Sequence, residues 1–399
     1  MSRSQLELAD IFRRHGEAWR VANAGHVNLG QRRVMTAIEI CRSAVLGGHV
    51  ERCEDCAHTH IAYNSCRNRH CPKCQWSTAR KWLVAREEEL LPVPYFHFVF
   101  TLPPVISAMA YQNKAKIYGL LFKAAADTLT TIAADQKYLG ADIGIIAVLH
   151  TWGQNLQHHP HVHCVVPGGG VSRDGNQWIA SRPAFFLPVR VLSRLFRRLF
   201  LEGLSETFRG GELQFFADLA HLNDAKAFAA ALTPLRTAEW IVYAKKTFSG
   251  PGRLLGYLAR YTHRVAICNN RLLNLTETHV TFRWKGRRQG GRYKTKGMRI
   301  AIGEFMRRFL LHVLPNGFHR IRHYGFLANS HRADRLALCR TLLAMVSRPV
   351  ARKREDSGNA VRTNQQIPPC PCCGGYMAVI ETLYGTLPRS HPPRRLEAL

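Results

Sequence analysis

Two cysteine knuckles, Cys53-x-x-Cys56 and Cys71-x-x-Cys74, stand 14 residues apart and constrain the fold more tightly than any other feature of the chain. Each knuckle turns two thiolates toward one point, and two such turns complete a tetrahedral four-cysteine zinc site. A site of this kind contributes its binding free energy to folding. The chain has 12 cysteines, six of them between Cys41 and Cys74. No signal-peptide core precedes them, so metal ligation is expected rather than disulfide bonding. We expect Cys53, Cys56, Cys71 and Cys74 to hold a structural zinc. Cys66-x-x-x-His70 offers an alternative, replacing one knuckle or joining a second site with His49, His58 or His60. A hydrolytic zinc would want an open coordination position and a nearby base, and this spacing supplies neither. Near the other end, Cys370-Pro371-Cys372-Cys373-Gly374-Gly375 looks like half a zinc ribbon. It needs distant partners such as Cys339 or His331, or takes no metal.

A second constraint lies in the run from Leu156 to Val166, which contains His161-Val162-His163. Alternate side chains of a strand share a face, so the two imidazoles point one way and Val162 the other. Two nitrogen donors so arranged suit a divalent metal, zinc and manganese among others. An isolated His-x-His is usually an exposed or hydrogen-bonded pair. Here a strand-like run from Ile143 to His150 precedes it, and Gly168-Gly169-Gly170 follows, where backbone can turn or approach a ligand closely.

Downstream, Ser249-Gly250-Pro251-Gly252 predicts a helix start, with Ser249 as a cap and Pro251 in the first turn. At about 100° per residue, Arg253, Tyr257, Arg260, Tyr261 and Arg264 gather on one side and Leu255, Leu258, Ala259, Thr262 and Ala266 on the other. The apolar side explains packing but not two phenols among three guanidiniums. Arginines favour the phenolate and bind phosphate, and a phenolate is a covalent nucleophile. The plain alternative is a pair of amphipathic tyrosines at a helix surface.

Charge points to a polyanionic partner. Fifty-six Lys and Arg against 27 Asp and Glu give a formal net charge of +29 and a pI near 10.2. From Thr281 to Arg299 there is no acidic residue, and Arg283, Lys285, Arg287, Arg288, Arg292, Lys294 and Lys296 alternate with Phe282, Trp284 and Tyr293. Cations neutralise phosphates and aromatic faces stack unpaired bases, so this stretch is a candidate nucleic-acid surface, formed as a hairpin turning near Gly290-Gly291. A solvated basic hairpin is the plain alternative. Arg67, Arg69 and Lys73 are placed to add to DNA grip from the knuckles. No apolar run approaches the roughly 20 residues of a membrane span, so no membrane partner is expected.

Helices are expected around Leu6 to Phe12, from Val34 to Val45, Ser77 to Leu91, Ile106 to Ala134 and Val191 to Phe208, and strands from Tyr95 to Leu102, Ile143 to His150, His161 to Val166 and Trp240 to Lys246. This order suits an α+β fold with a central antiparallel sheet and flanking helices. The expected organisation is a helical, zinc-binding domain over residues 1–92, a nuclease domain over 93–270, a basic DNA-binding region over 271–348, and a linker with a cysteine-containing tail over 349–399. Ser347 to Pro369 has a linker composition, and Pro388 to Leu399 that of a loose tail.

Taken together, Tyr63-Asn64-Ser65-Cys66-Arg67-Asn68-Arg69-His70-Cys71-Pro72-Lys73-Cys74, Phe98-Val99-Phe100-Thr101-Leu102-Pro103, His150-Thr151-Trp152-Gly153-Gln154 leading to His159-Pro160-His161-Val162-His163, and the tyrosine helix resemble the HUH endonucleases. More closely they resemble the two-tyrosine rolling-circle transposases of bacterial insertion sequences, distant relatives of the Helitron transposases. The resemblance extends over most of the chain. It implies an HUH-like sheet, a DNA transposase, and cleavage of single-stranded DNA at transposon ends and target through a 5′-phosphotyrosine at Tyr257 or Tyr261, with a 3′-hydroxyl released and strands rejoined by reversal. It also implies magnesium or manganese at His161 and His163, with a third polar ligand. Gln154, Gln157, His158 and His150 are open for that role; His263 lies about 120° round the helix from Tyr257 and is set aside. Such a protein works in the cytoplasm, at the bacterial nucleoid. Two other readings compete: a non-catalytic zinc-finger regulator, and a metal-dependent phosphodiesterase that attacks with water and forms no protein–DNA adduct.

Overall fold

A computed structural model describes residues 6–182, 187–248, 265–289, 292–346 and 369–386. The expected tyrosine helix with Arg253, Tyr257, Arg260, Tyr261 and Arg264, most of the linker, and the tail from Pro388 lie outside the described residues. The chain divides into two units, residues 1–75 with 350–399, and residues 76–349.

In the first unit, α1 (Leu8–Ala22) buries Leu8, Ile11 and Phe12, and α2 (Leu29–Glu39) buries Val34, Met35 and Ile38. The second helix starts and stops earlier than the apolar pattern predicts. Asn28 caps it, its Oδ1 accepting from the Gln31 amide while Gln31 Oε1 accepts from the Asn28 amide, and that reciprocal pair fixes the start. Strands β1 (Gly48–Cys53) and β2 (Thr59–Tyr63) form an antiparallel hairpin. On its other edge β1 pairs antiparallel with the strand Met377–Leu383, so the middle strand of this three-stranded sheet joins segments from the two ends of the chain. The helix α3 (Pro72–Glu87) opens with Pro72, which suits a first turn, and so begins five residues ahead of the expected Ser77.

The second unit is built on an antiparallel five-stranded sheet. Its members in chain order are β3 (Tyr95–Thr101), β5 (Gly144–Trp152), β6 (His158–Pro167), β9 (Val242–Phe248) and β13 (Ile321–Gly325), and they lie in the order β13-β5-β6-β3-β9. One face carries Phe96, Phe98, Phe100, Ala147, Leu149, Val162, Cys164 and Val166 into a core with α5 (Lys114–Ala134), α6 (Val189–Arg209) and α7 (Ala225–Thr237). There Phe196 sits 4.9 Å from Phe100 and 5.4 Å from Trp240, ring centre to ring centre. Burying each such phenyl ring stabilises the fold by roughly 1.5–3 kcal/mol. On the other face Ile146, Val148 and Val165 pack with Leu336, Cys339 and Leu342 of the helix Arg332–Val346.

The helix expected over Ile106 to Ala134 is two, α4 (Pro104–Gln112) and α5. Asn113 breaks it, because its side chain exchanges hydrogen bonds with the backbone of Gln214 and also donates to the Met109 carbonyl.

The triple glycine also differs from expectation, for the close approach it allows is to the chain's own backbone. Short strands β4 (Ala141–Asp142), β7 (Gly169–Ser172) and β8 (Trp178–Ala180) meet there, and a Cβ on Gly170 would stand 2.4 Å from the Asp142 carbonyl oxygen. Neither strand can yield without breaking its pairing. Gly170→Ala should therefore destabilise this unit by about 1–3 kcal/mol. Urea unfolding of the full chain measures it, and an unchanged midpoint would contradict the packing.

Candidate functional site

The antiparallel register of β5 and β6 sets His150 directly opposite His161 and Val148 opposite His163. Opposed residues share a face, so the three imidazoles converge on the sheet face away from the phenylalanine core. Their ring centres are 4.4 Å (His150–His163), 4.9 Å (His161–His163) and 5.5 Å (His150–His161) apart, and one ring nitrogen from each falls within 4.8 Å of the others. His150 and His163 are buried, and His161 is partly exposed at the open end. Of the residues open as a third donor, the fold brings His150 to the pair. His158, one residue out of phase on the strand, faces the opposite layer, where it hydrogen-bonds Tyr118 at 2.7 Å.

The donor set fits a divalent ion. Nδ1 of His161 is 2.7 Å from the His159 carbonyl, to which it donates, leaving Nε2 as the lone-pair nitrogen. His97 of β3 lies beneath: its Nε2 is 2.8 Å from Nδ1 of His163, the two rings nearly coplanar at 7°. Burial, then the neighbouring His161 and Lys245, pushes His97 down to about 4, so at neutral pH it is uncharged. A His163 that offers Nε2 as a lone pair to an ion carries its proton on Nδ1 and donates it to His97. That bond aims Nε2 of His163 away from His97. Trp152 stacks on His150 at 4.8 Å and 18°. His97 was not singled out by motif; its signal was a histidine in phase with Tyr95 and Val99 in an otherwise apolar strand.

Beside this set, His159 forms part of the wall of a cleft of about 760 Å³ with Tyr111, Gln112, Asn155, Gln157 and Arg307. On the far side of the sheet, at its edge, β9 carries Tyr243 and Lys245 opposite Val99 and His97, both exposed and on the histidine face.

The basic hairpin forms as β11 (His279–Gln289) and β12 (Arg292–Ala301), following β10 (Leu272–Leu275). Its period of two separates what the sequence interleaves. Arg283 and Lys285, both exposed, share a face with Thr295 and Arg299, whereas Trp284 lies on the face of Phe282, which is buried against Phe305. The cationic face and Trp284 are thus not one surface. Arg287 falls within a shift in register on the same strand, and pairing resumes at Arg288.

The expected four-cysteine set Cys53, Cys56, Cys71 and Cys74 is not the one the structure assembles. Cys71 and Cys74 close with Cys41 and Cys66, with Sγ–Sγ separations of 3.5–3.6 Å, while Cys53 and Cys56 close with Cys370 and Cys373. Spacing between adjacent knuckles was misleading because the first knuckle forms the tip of the β1–β2 hairpin, and β2 runs the length of that hairpin before the chain reaches the second. Cys41 lies just beyond the end of α2, with no knuckle to mark it. His70 joins neither set, and the partners of the C-terminal half-ribbon are neither Cys339 nor His331. No disulfide joins the cysteines.

Comparison with known proteins identifies the class. A family model described as "Putative transposase" matches residues 144–335, the stretch holding the three histidines, and one described as "Transposase zinc-binding domain" matches residues 11–102. The chain is 58% identical over 399 residues, 99% of each chain, to "Putative transposase y4qJ" of Sinorhizobium fredii (strain NBRC 101917 / NGR234). It is 27% identical over 303 residues, 74% of this chain and 70% of that protein, to the transposase for insertion sequence element IS801 of Pseudomonas savastanoi pv. phaseolicola. The chain therefore belongs to this transposase family and carries its zinc-binding domain near the N-terminus. Among solved structures, TrwC complexed with a 27-mer DNA comprising the recognition hairpin and the cleavage site aligns at 22% identity and a TM-score of 0.23 over 34% of this chain and 53% of that one. Among the described residues no helix is long and apolar enough to cross a membrane.

A buried polar cluster under the sheet contributes to the acid sensitivity of this unit. His312 hydrogen-bonds Thr151 and the Leu156 carbonyl, and burial pushes it down to about 3; burial, with Lys114 adding repulsion, pushes His158 to about 4. Below pH 6.5 the unfolded chain takes up protons that these two native imidazoles refuse. Stability is accordingly complete above pH 6.5 and falls by about 1.4 kcal/mol per histidine for each unit of pH toward 4. Urea midpoints at pH 7.5 and pH 5 check this, and His312→Gln should flatten the slope.

Proposed function

We propose that the protein nicks and rejoins single-stranded DNA through a 5′-phosphotyrosine intermediate and so drives rolling-circle transposition of an insertion sequence. The observation that carries this reading is the triad of His150, His161 and His163 on adjacent strands, in a chain whose edge strand β9 runs on into the segment holding Tyr257 and Tyr261. His150, His161 and His163 would hold a divalent ion, magnesium or manganese by family resemblance, which when bound withdraws charge from the scissile phosphate. His97 fixes the tautomer of His163, and the His159 carbonyl that of His161.

A tyrosine phenolate attacks phosphorus, forming the Tyr–O–P bond as the P–O3′ bond breaks. The electron pair leaves with the 3′ oxygen, which takes up a proton to become the 3′-hydroxyl. A later DNA 3′-hydroxyl reverses the step and frees the tyrosine. Arg253, Arg260 and Arg264, spaced with the two tyrosines, favour the phenolate and bind flanking phosphates. Arg283, Lys285, Arg287 and Arg288 of the hairpin would hold the backbone of the strand, and Trp284 would stack a base only where a base can reach its own face. The cleft lined by Tyr111, Gln112, Gln157 and Arg307 suits an unpaired base and its phosphate. One zinc, held by Cys41, Cys66, Cys71 and Cys74, would stabilise the N-terminal domain.

His161→Ala and His163→Ala should abolish nicking of single-stranded element ends with manganese present, and leave DNA affinity within a few-fold, since affinity comes from the basic faces. Parental nicking rates in either variant would refute the metal assignment. Tyr257→Phe and Tyr261→Phe should each retain some single cleavage but impair complete transposition, and the double variant should form no covalent DNA adduct. Mass spectrometry of the DNA-linked peptide decides this: an adduct on any other residue removes the tyrosine assignment, and turnover without an adduct favours the hydrolytic phosphodiesterase.

A further inference from the structure

We propose that Cys53, Cys56, Cys370 and Cys373 form a second structural zinc site, distinct from that of Cys41, Cys66, Cys71 and Cys74, and that it binds the C-terminal segment into the N-terminal zinc domain. Two of its four ligands lie more than 260 residues beyond the stretch that matches the zinc-binding family model.

The sulfurs are spaced for a shared ion. Cys53–Cys373, Cys56–Cys370 and Cys56–Cys373 stand 3.5, 3.6 and 3.4 Å apart. Thiolates on one tetrahedral zinc are roughly 3.8 Å apart, given Zn–S bonds of about 2.3 Å, whereas a disulfide needs about 2.0 Å. So tight a set admits one metal atom and leaves no room for a cluster. Four thiolates select zinc over the hard cations expected at the histidines.

The two turns match each other. In Cys53-x-x-Cys56-Ala57 the Ala57 amide donates to the Cys53 carbonyl at 3.1 Å with φ +55°, and in Cys370-x-x-Cys373-Gly374 the Gly374 amide donates to the Cys370 carbonyl at 2.8 Å with φ +80°. A left-handed alanine is uncommon, and the left-handed backbone at the same point of both turns, met by Ala57 in one and Gly374 in the other, marks a shared geometry. Backbone amides of Cys372 and Gly375 approach Sγ of Cys370 and Cys373 at 3.4 Å, an arrangement that orients and stabilises metal-bound thiolates. The sheet supports the same register. Cys53 ends β1 opposite Met377, which opens the partner strand, and Glu54 donates to the Tyr376 carbonyl at 3.1 Å. Each knuckle is thus tethered to one of two paired strands, and the C-terminal half-ribbon finds its other half in Cys53-x-x-Cys56.

Elemental analysis and alkylation of the full-length protein purified with zinc test this. With the histidine donors removed by His161→Ala/His163→Ala in every protein compared, the parent should carry two zinc ions per chain, Cys370→Ser/Cys373→Ser one, and Cys372→Ser still two, because Cys372 is exposed and outside the set. In the zinc-loaded parent, iodoacetamide should modify Cys372 while sparing Cys370 and Cys373, and all three should react after chelation. One zinc per parent chain, two in the double variant, or Cys370 and Cys373 reacting as fast as Cys372 in the loaded parent would each overturn the proposal. The parent's metal count and labelling pattern decide the matter even if the double variant does not fold.

Discussion

Everything at the candidate centre depends on the antiparallel pairing of β5, β6 and β3. Because side chains alternate across a strand, one register places His150, His161, His163 and His97 on a single face and hands Leu149, Val162, Cys164 and Phe98 to the core on the other. A slip of one residue would bury the imidazoles among phenylalanines and strip the core of its apolar wall. Hydrophobic burial, far larger than any metal-ligand preference in the unfolded chain, therefore fixes the geometry of the polar set. Burial beside its neighbours holds His97 well below the usual imidazole range, so this member of the set is uncharged at neutral pH.

The zinc domain depends on a different kind of constraint. Its helices bury a modest set of side chains, and its three-stranded sheet leaves Ile61, Val379 and Ile380 exposed. A small unit with so little core needs cross-links to stay folded. Cysteine clusters at both ends of its sheet answer that need without demanding an oxidising compartment.

The central sheet, the His-x-His face and the start of β3 were legible in the sequence because period-two patterning is local. The family was legible for the same reason, through short co-ordered motifs. What escaped was set by partners remote in sequence. His150 was one of four open choices until strand pairing put it opposite His161, and His97 carried no motif at all. The grouping of the cysteines failed because knuckle spacing says how two thiolates meet and nothing about which pairs then combine. Asn113, an ordinary helix residue by propensity, splits a helix through a contact with Gln214, about a hundred positions on. In the basic hairpin the composition was legible, but counting cations and aromatics together hid the alternation that sends Arg283 and Trp284 to opposite faces.

The pairing of β1 with Met377–Leu383 also has a bearing on synthesis. A ribosome produces β1 and β2 together, yet the strand that completes their sheet begins at Met377, more than 300 residues later. Until then one edge of β1 offers open backbone donors and acceptors. A message cut short, or a frameshift anywhere in between, yields a chain whose three-stranded sheet lacks its third strand, however well the five-stranded sheet folds. Assembly of this sheet thus reports that translation has stayed in frame as far as Leu383.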